Sequence, residues 1–496
     1  MSKKLVHILI GTPSAMGHVI PALALARRIL NTPSLQEIDG DIHGSDRLVT
    51  LLIPKSFSSV LKEKPIFPIT DDEPKILTSC YGSLRVVWIE DKVELDHTQD
   101  DGSVIGFFAS LQAYLDNLGR YIKSTRTEMI DTIRPTCLIL DSMFGMLESF
   151  PIDSIPLYFL NTSTAALTSN DLEDFKMPGI DNPTHEDMAQ KFLMEGVKRS
   201  ASRVSSCEGV IWNTARCVDG DNLERFLHIF QHKIPLYPVG PLNYFNIKGE
   251  SIVEREKNSE YQKNLVSASH NTTTPSDLEV WISQYLNEHG PYSILYVSFG
   301  TSVSHSTDQL IELLNGLKAT ERNVLWSLNK NQQKDLPKSN RYIPAQGVLV
   351  YNNVTIVEWA PQTMVLSHTS CAAFLTHCGW NSSLESLTYG VATINWPVYF
   401  DQYSVSKLLV ELGVGISFEL GLITSPPESQ TRPNIIPAEM ITLTIVNFFD
   451  EKEKGDDRYS KTAKRVSEEL RLAWTPEGEA YRELARVLSQ IEKMLE

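Results

Sequence analysis

Between Trp359 and Gln402 the chain reads WAPQTMVLSHTSCAAFLTHCGWNSSLESLTYGVATINWPVYFDQ, a pattern that few folds accommodate. Apolar runs of strand length alternate with runs at helical spacing, and each strand run ends in small and polar residues. Strands that alternate with helices pair in parallel, with the helices covering the sheet. Ligands of such sheets lie beyond the C-terminal strand ends. Three successive ends carry suitable groups: Trp359 and Gln362 after VTIVE, His377 to Ser382 after CAAFLT, and Asp401 and Gln402 after VATINWPVYF.

Each group has a chemical use. The face of Trp359 can stack on a base. Gly379 lets backbone approach a ligand closely. Asn381 and Ser382 fall where the next helix starts, so first-turn amides and the helix dipole can hold a diphosphate, with His377 as a further donor. Glu385 lies one turn deeper on the same face as Asn381, placed to accept the two hydroxyls of a ribose. Asp401 and Gln402 combine acceptors and a donor suited to sugar hydroxyls. Taken singly, each residue has a plain structural reading: a buried Trp, an N-cap, a surface Glu. From the residues alone the stretch reads as a nucleotide-binding α/β protein.

The rest of the chain repeats the pattern. Val6–Ile10 is a strand, residues 11–17 a small-residue turn, and His18–Leu30 a helix. Leu48–Ile53, Leu84–Ile89, Thr136–Leu140, Leu157–Leu160 and Gly209–Trp212 read as strands, Phe107–Ile133 as a long amphipathic helix, and Tyr237–Leu242 as a break in regular structure. Ser293–Phe299, Asn323–Leu328 and Val354–Glu358 are strands of a second series, Leu310–Leu317 is helical, and Ser425–Pro433 is a loop. This predicts α/β architecture: two Rossmann-like, doubly wound parallel-sheet domains. The expected boundaries are 1–245, a polar linker at 246–276, 277–475, and a C-terminal helix at 476–496 that packs back on the first domain.

Composition excludes several partners. A formal charge of -16 argues against nucleic acid and anionic membranes. No run reaches the length of a membrane span, and the N-terminus lacks a secretory leader pattern. The six cysteines (80, 137, 207, 217, 371 and 378) are scattered without a CxxC pair, so free thiols in a reducing, cytoplasmic setting are expected. The sequons at Asn161, Asn271, Asn353 and Asn381 then read as chance.

The stretch resembles the signature box of the plant secondary-product UDP-glycosyltransferases, which have the GT-B fold of two such domains facing across a cleft. WAPQ, HCGWNS, Glu385 and the closing Asp401-Gln402 stand at that family's spacing. Thr12–Pro21, Trp212-Asn213-Thr214, YPVGPL and YVSFGT resemble its other landmarks. The resemblance implies that Trp359 stacks on uracil, flanked by Ala360, and that Gln362 contacts the ribose region. It implies that Glu385 binds the ribose hydroxyls. His377, Gly379, Asn381 and Ser382 would hold the diphosphate, with Thr301 and Ser302 closing over it. Trp380, Asp401 and Gln402 would contact the sugar, and a final Gln goes with glucose. His18 matches the family's base and Asp141 its partner. An acceptor hydroxyl would attack the anomeric carbon with inversion. No metal or cofactor is implied, only UDP-glucose as co-substrate and a small aromatic or apolar acceptor, in a monomer. Met16, Phe107, Phe108, Met143 and Phe144 are candidate acceptor-wall residues.

Departures are small: Ala372 for the usual Gly, Ala392 for Pro, Thr301 for a frequent Ser. Three rivals remain: another UDP-sugar or an N, S or C acceptor, a non-catalytic sugar-nucleotide binder, and an NAD-dependent oxidoreductase. The last lacks a GxGxxG after the first strand.

Overall fold

A computed structural model describes residues 5–13, 15–35, 46–58, 76–79, 82–91, 104–127, 135–147, 155–163, 196, 198–242, 277–301, 303–343, 347–398, 401–418, 435–453 and 457–495. The predicted linker 246–276, the loop Ser425–Pro433 and Ser302 lie outside them. The chain divides into two compact units, one of Met1–Phe245 with Leu472–Glu496, the other of Asn246–Arg471.

The first unit is built on an eight-stranded sheet in the order β3-β4-β2-β1-β5-β6-β7-β8. Its strands are β1 (Leu5–Gly11), β2 (Asp46–Pro54), β3 (Ile76–Ser79), β4 (Gly82–Ile89), β5 (Cys137–Asp141), β6 (Leu157–Asn161), β7 (Gly209–Trp212) and β8 (Leu236–Pro238). β1 runs parallel to β2 on one side and to β5 on the other, so the strand order reverses there. Such a reversal leaves a crevice at the carboxyl ends of the flanking strands. The central strands are buried on both faces, which is why they read as unbroken apolar runs. Two elements differ from expectation. β3 is an antiparallel edge strand, and the segment read as a break contains β8, parallel to β7.

Within this unit the helix Glu479–Lys493 packs against β8 and sends Leu484, Val487, Leu488 and Ile491 into the core that it shares with the sheet. Polar contacts fix it. The buried Arg47 guanidinium donates to Glu492 at 3.0 Å and to the carbonyls of Ile29 and Thr32. The Ser489 hydroxyl accepts the Leu35 N–H at 2.8 Å, and Trp474 Nε1 donates to the Pro241 carbonyl at 3.0 Å.

The second unit has its own eight-stranded sheet, ordered β11-β12-β13-β10-β9-β14-β15-β16. These are β9 (Ile294–Ser298), β10 (Asn323–Ser327), β11 (Arg341–Ile343), β12 (Val348–Tyr351), β13 (Val354–Val357), β14 (Cys371–Thr376), β15 (Thr393–Asn395) and β16 (Gly415–Ser417). The six strands from β13 to β16 in that order are parallel, and the hairpin β11–β12 adds antiparallel pairing at one edge. Here β9 takes the place of β1, with β10 and β14 on its two sides. Among the described residues no helix is long and apolar enough to cross a membrane.

Candidate functional site

Both units gather polar residues at their reversal points. In the first, β1 ends at Gly11 and the helix Met16–Ile29 follows, placing His18 in its first turn. β5 ends at Asp141, which also caps the 3-10 turn Ser142–Met146 by accepting the Met143 N–H at Oδ1, 3.0 Å away. Because β1 and β5 are paired, the two ends are adjacent, and His18 Nδ1 lies 2.7 Å from Asp141 Oδ2. The Asp141 side chain is shut off from solvent, while His18 retains 23% exposure. A carboxylate has acceptors only, so the proton at this contact sits on Nδ1 and the Nε2 lone pair is the basic one.

Two residues hold this corner from outside the turn. Arg203 donates to the carbonyls of Gly145 and Leu147, at 2.6 and 2.5 Å, and Arg199 to that of Met146 at 2.9 Å. Met16 and Met143 are half-buried beside it. Phe144 is instead a core residue: its ring is stacked on Tyr114 with centroids 5.4 Å apart and has no surface to offer. Phe107 and Phe108 fall in the helix Val104–Thr127, with side chains outside the described set.

In the second unit the loops after β9, β13, β14 and β15 carry the expected donor residues. Trp359 is half-buried beside the buried Ala360, and Gln362 opens the short helix Gln362–Ser367. Gln362 Nε2 donates to Ser382 Oγ at 3.0 Å and to Glu385 Oε2 at 2.8 Å, joining two strand ends. Burial pushes the Glu385 carboxyl up to about 7, against the pull of the Gln362 hydrogen bond.

The helix Trp380–Thr388 starts at Gly379, so Trp380, Asn381 and Ser382 form its first turn. Amides of a first turn have no acceptor within the helix and point outward with the positive dipole end. The Trp380 side chain itself is buried. Cys378 takes a left-handed backbone conformation (φ 65), rare for a residue with a side chain and a form of strain that recurs at functional loops.

His377 occupies a slot that only glycines allow. A Cβ on Gly379 would stand 2.5 Å from His377 Nε2, and one on Gly300 2.8 Å from the same ring. Gly300 also has a φ of +70, which L side chains avoid. Burial pulls His377 down to about 4; a hydrogen bond to the Ser298 backbone opposes this and neighbouring His305 adds to it. His305, edge-on to Phe299 and tilted against Trp396, is itself held at about 4 by burial. Both rings are therefore neutral at pH 7, and His377 can serve as a hydrogen-bond donor but not as a cation.

Thr301 is exposed in the turn after β9. Asp401 stands at the position before the helix Gln402–Glu411, and Gln402 is buried with its Oε1 accepting the Val398 N–H at 2.8 Å. Among the described residues no cluster of three or more His, Cys, Asp or Glu is arranged to hold a metal. Sequence patterns missed Thr162, His305, Arg199 and Arg203. None carries a local signal, and each acquires its setting through pairing of distant strands or packing.

Residues 260–430 match the sequence model of a family described as UDP-glucoronosyl and UDP-glucosyl transferase. The chain is 25% identical to UDP-glucose flavonoid 3-O-glucosyltransferase 7 of Fragaria ananassa over 421 residues, 77% of this chain and 81% of that one. It superposes with a TM-score of 0.70 on a UDP-glucosyltransferase from Polygonum tinctorium capable of glucosylating indoxyl, at 23% identity, covering 99% of this chain and 100% of that one. Against UGT2 of Phytolacca americana, complexed with UDP-2fluoro-glucose and pterostilbene, the TM-score is 0.67 at 22% identity, covering 98% and 100%.

Proposed function

We propose that the chain is a UDP-glycosyltransferase of the plant type and moves glucose from UDP-glucose to a hydroxyl of a small aromatic or apolar acceptor, as the match of residues 260–430 and the similar proteins support. The observation that best supports a catalytic reading is the 2.7 Å contact between His18 Nδ1 and the buried Asp141 carboxylate. With Nδ1 protonated, His18 Nε2 takes the proton of the acceptor hydroxyl. The acceptor oxygen attacks the anomeric carbon as the bond to the diphosphate oxygen breaks, and UDP leaves with that electron pair. A single displacement inverts the anomeric centre. Asp141 steadies the imidazolium until it is deprotonated, the base–orienter arrangement of hydrolytic triads with the acceptor hydroxyl in place of a serine.

Donor binding is assigned to the second unit. Trp359 stacks on uracil, and Glu385, tied to Gln362, takes the ribose hydroxyls. The first-turn amides at Trp380, Asn381 and Ser382, with the neutral His377, hold the diphosphate and stabilise the charge it gains as it leaves. Asp401 and Gln402 read the sugar, and Thr301 and Ser302 close over the phosphates. Met16 and Met143 supply apolar surface beside the base. That setting suits a phenol or similar flat alcohol, in keeping with the flavonoid, indoxyl and pterostilbene in the names of the similar proteins.

A mass-spectrometric screen tests this. UDP-glucose is offered with phenols, flavonoids and terpenoid alcohols, then replaced by UDP-galactose, UDP-xylose, UDP-rhamnose and UDP-glucuronate. Glucosides are expected, with UDP-glucose the preferred donor. Preference for another donor would overturn the glucose assignment. Tight UDP binding without transfer to any acceptor would make the protein a sugar-nucleotide binder.

A further inference from the structure

The tripeptide Asn161-Thr162-Ser163 has the form of a glycosylation sequon, yet its polar groups are used inside the first unit. Asn161 closes β6, and its Oδ1 accepts the Ser163 N–H at 2.9 Å. The Ser163 carbonyl accepts the Trp212 indole N–H at 2.7 Å, which ties the segment to the neighbouring strand β7. Thr162, pinned between them, is buried. Its Oγ1 stands 2.8 Å from His18 Nδ1 and 3.3 Å from Asp141 Oδ2. With the 2.7 Å contact between His18 and Asp141, three side chains from the ends of β1, β5 and β6 close a triangle.

One arrangement of protons satisfies that triangle. The carboxylate cannot donate, so Nδ1 carries its hydrogen and offers it to two acceptors, Oδ2 and Oγ1. A protonated Nδ1 cannot accept, so the Thr162 hydroxyl donates to Oδ2. With the Met143 N–H on Oδ1, the carboxylate then receives hydrogen bonds at both oxygens. An imidazole held by one bond can pivot about it; a second acceptor beside the first fixes the ring plane and hence the direction of the Nε2 lone pair.

We infer that Thr162 is a positioning residue for His18, its hydroxyl aiming the base at the acceptor. This rests on the reading of His18 as the base. Thr162→Val keeps the shape and removes the hydroxyl, and Thr162→Ser returns it. With UDP-glucose and the best acceptor from the screen, Thr162→Val is expected to lower kcat about tenfold, the worth of one hydrogen bond, while the UDP-glucose KM stays within about twofold. Thr162→Ser should restore most of the rate. In a His18→Ala background Thr162→Val should cost nothing further, because the ring it aims is gone.

An unchanged kcat in Thr162→Val overturns the inference. So does an equal loss in the His18→Ala background, or a raised KM at intact kcat, either of which would move Thr162 to the substrate. Failure of Thr162→Ser to restore the rate would make the methyl packing, not the hydroxyl, responsible. Should the valine variant not fold, Thr162→Ala is read in the same way. Failure of the underlying reading is seen separately: His18→Ala at the full wild-type rate removes the base assignment, and the role of Thr162 with it.

Discussion

His18 and His377 are the same side chain in comparable places, a first helical turn and a loop that follow strands beside the reversal point of a parallel sheet, yet their surroundings are opposite in kind. His18 is partly exposed, with Nδ1 against a buried carboxylate. His377 is buried between two glycines, and its Nδ1 has no hydrogen-bond partner among the described residues. A carboxylate steadies a positive ring; a dry, neutral slot forbids one. The first arrangement suits a group that gains and loses a proton in each turnover. The second suits a fixed donor whose charge must not change when an anion arrives. One sheet architecture thus suits the proposed base in one unit and the proposed neutral anion cradle in the other.

The comparison can be broken most directly at its first member. His18→Ala should lower kcat about a thousandfold, within the range for loss of a general base, and leave UDP-glucose binding intact. A full rate in single-turnover assays would remove the distinction between the two histidines. The second member is tested through its slot. Gly379→Ala places a methyl 2.5 Å from His377 Nε2, and the ring or the loop must shift. UDP-glucose binding measured by calorimetry should weaken about ten- to a hundredfold, equivalent to roughly 1–3 kcal/mol of overpacking. An unchanged affinity would mean that His377 does not touch the diphosphate.

The smallest effect sharpens the contrast in charge. Glu385 is pushed up to about 7 by burial, so it is largely protonated below that pH and a carboxylate above it. In the proposed donor site the carboxylate form is the one that accepts from both ribose hydroxyls. UDP-glucose affinity should therefore rise several-fold between pH 6 and pH 8, up to about tenfold per unit below the midpoint, and the slope should vanish in Glu385→Gln. A flat wild-type profile would place Glu385 away from the ribose.

The α/β class was readable because strands buried on both faces, such as Leu5–Gly11 and Cys371–Thr376, are continuous apolar runs followed by loops and helices. Edge strands were not. Ile76–Ser79, Arg341–Ile343 and Gly415–Ser417 span only three or four residues, and antiparallel hairpins need no crossover helix to announce them. The site divides similarly. Residues after strand ends could be picked out one at a time, but His18 and Asp141 are 123 positions apart and meet only because β1 pairs with β5. Thr162 joins them through the pairing of β5 with β6. Burial of Glu385 and the glycine slot around His377 are packing properties, invisible to spacing.

During synthesis the core of the first unit cannot be completed early. Its core lacks Leu484, Val487, Leu488 and Ile491, and the Arg47 guanidinium lacks Glu492, until the last helix has left the ribosome. By then all of Asn246–Arg471 has emerged. All residues of the second unit are thus available while the first still lacks part of its apolar core and the carboxylate that pairs with Arg47.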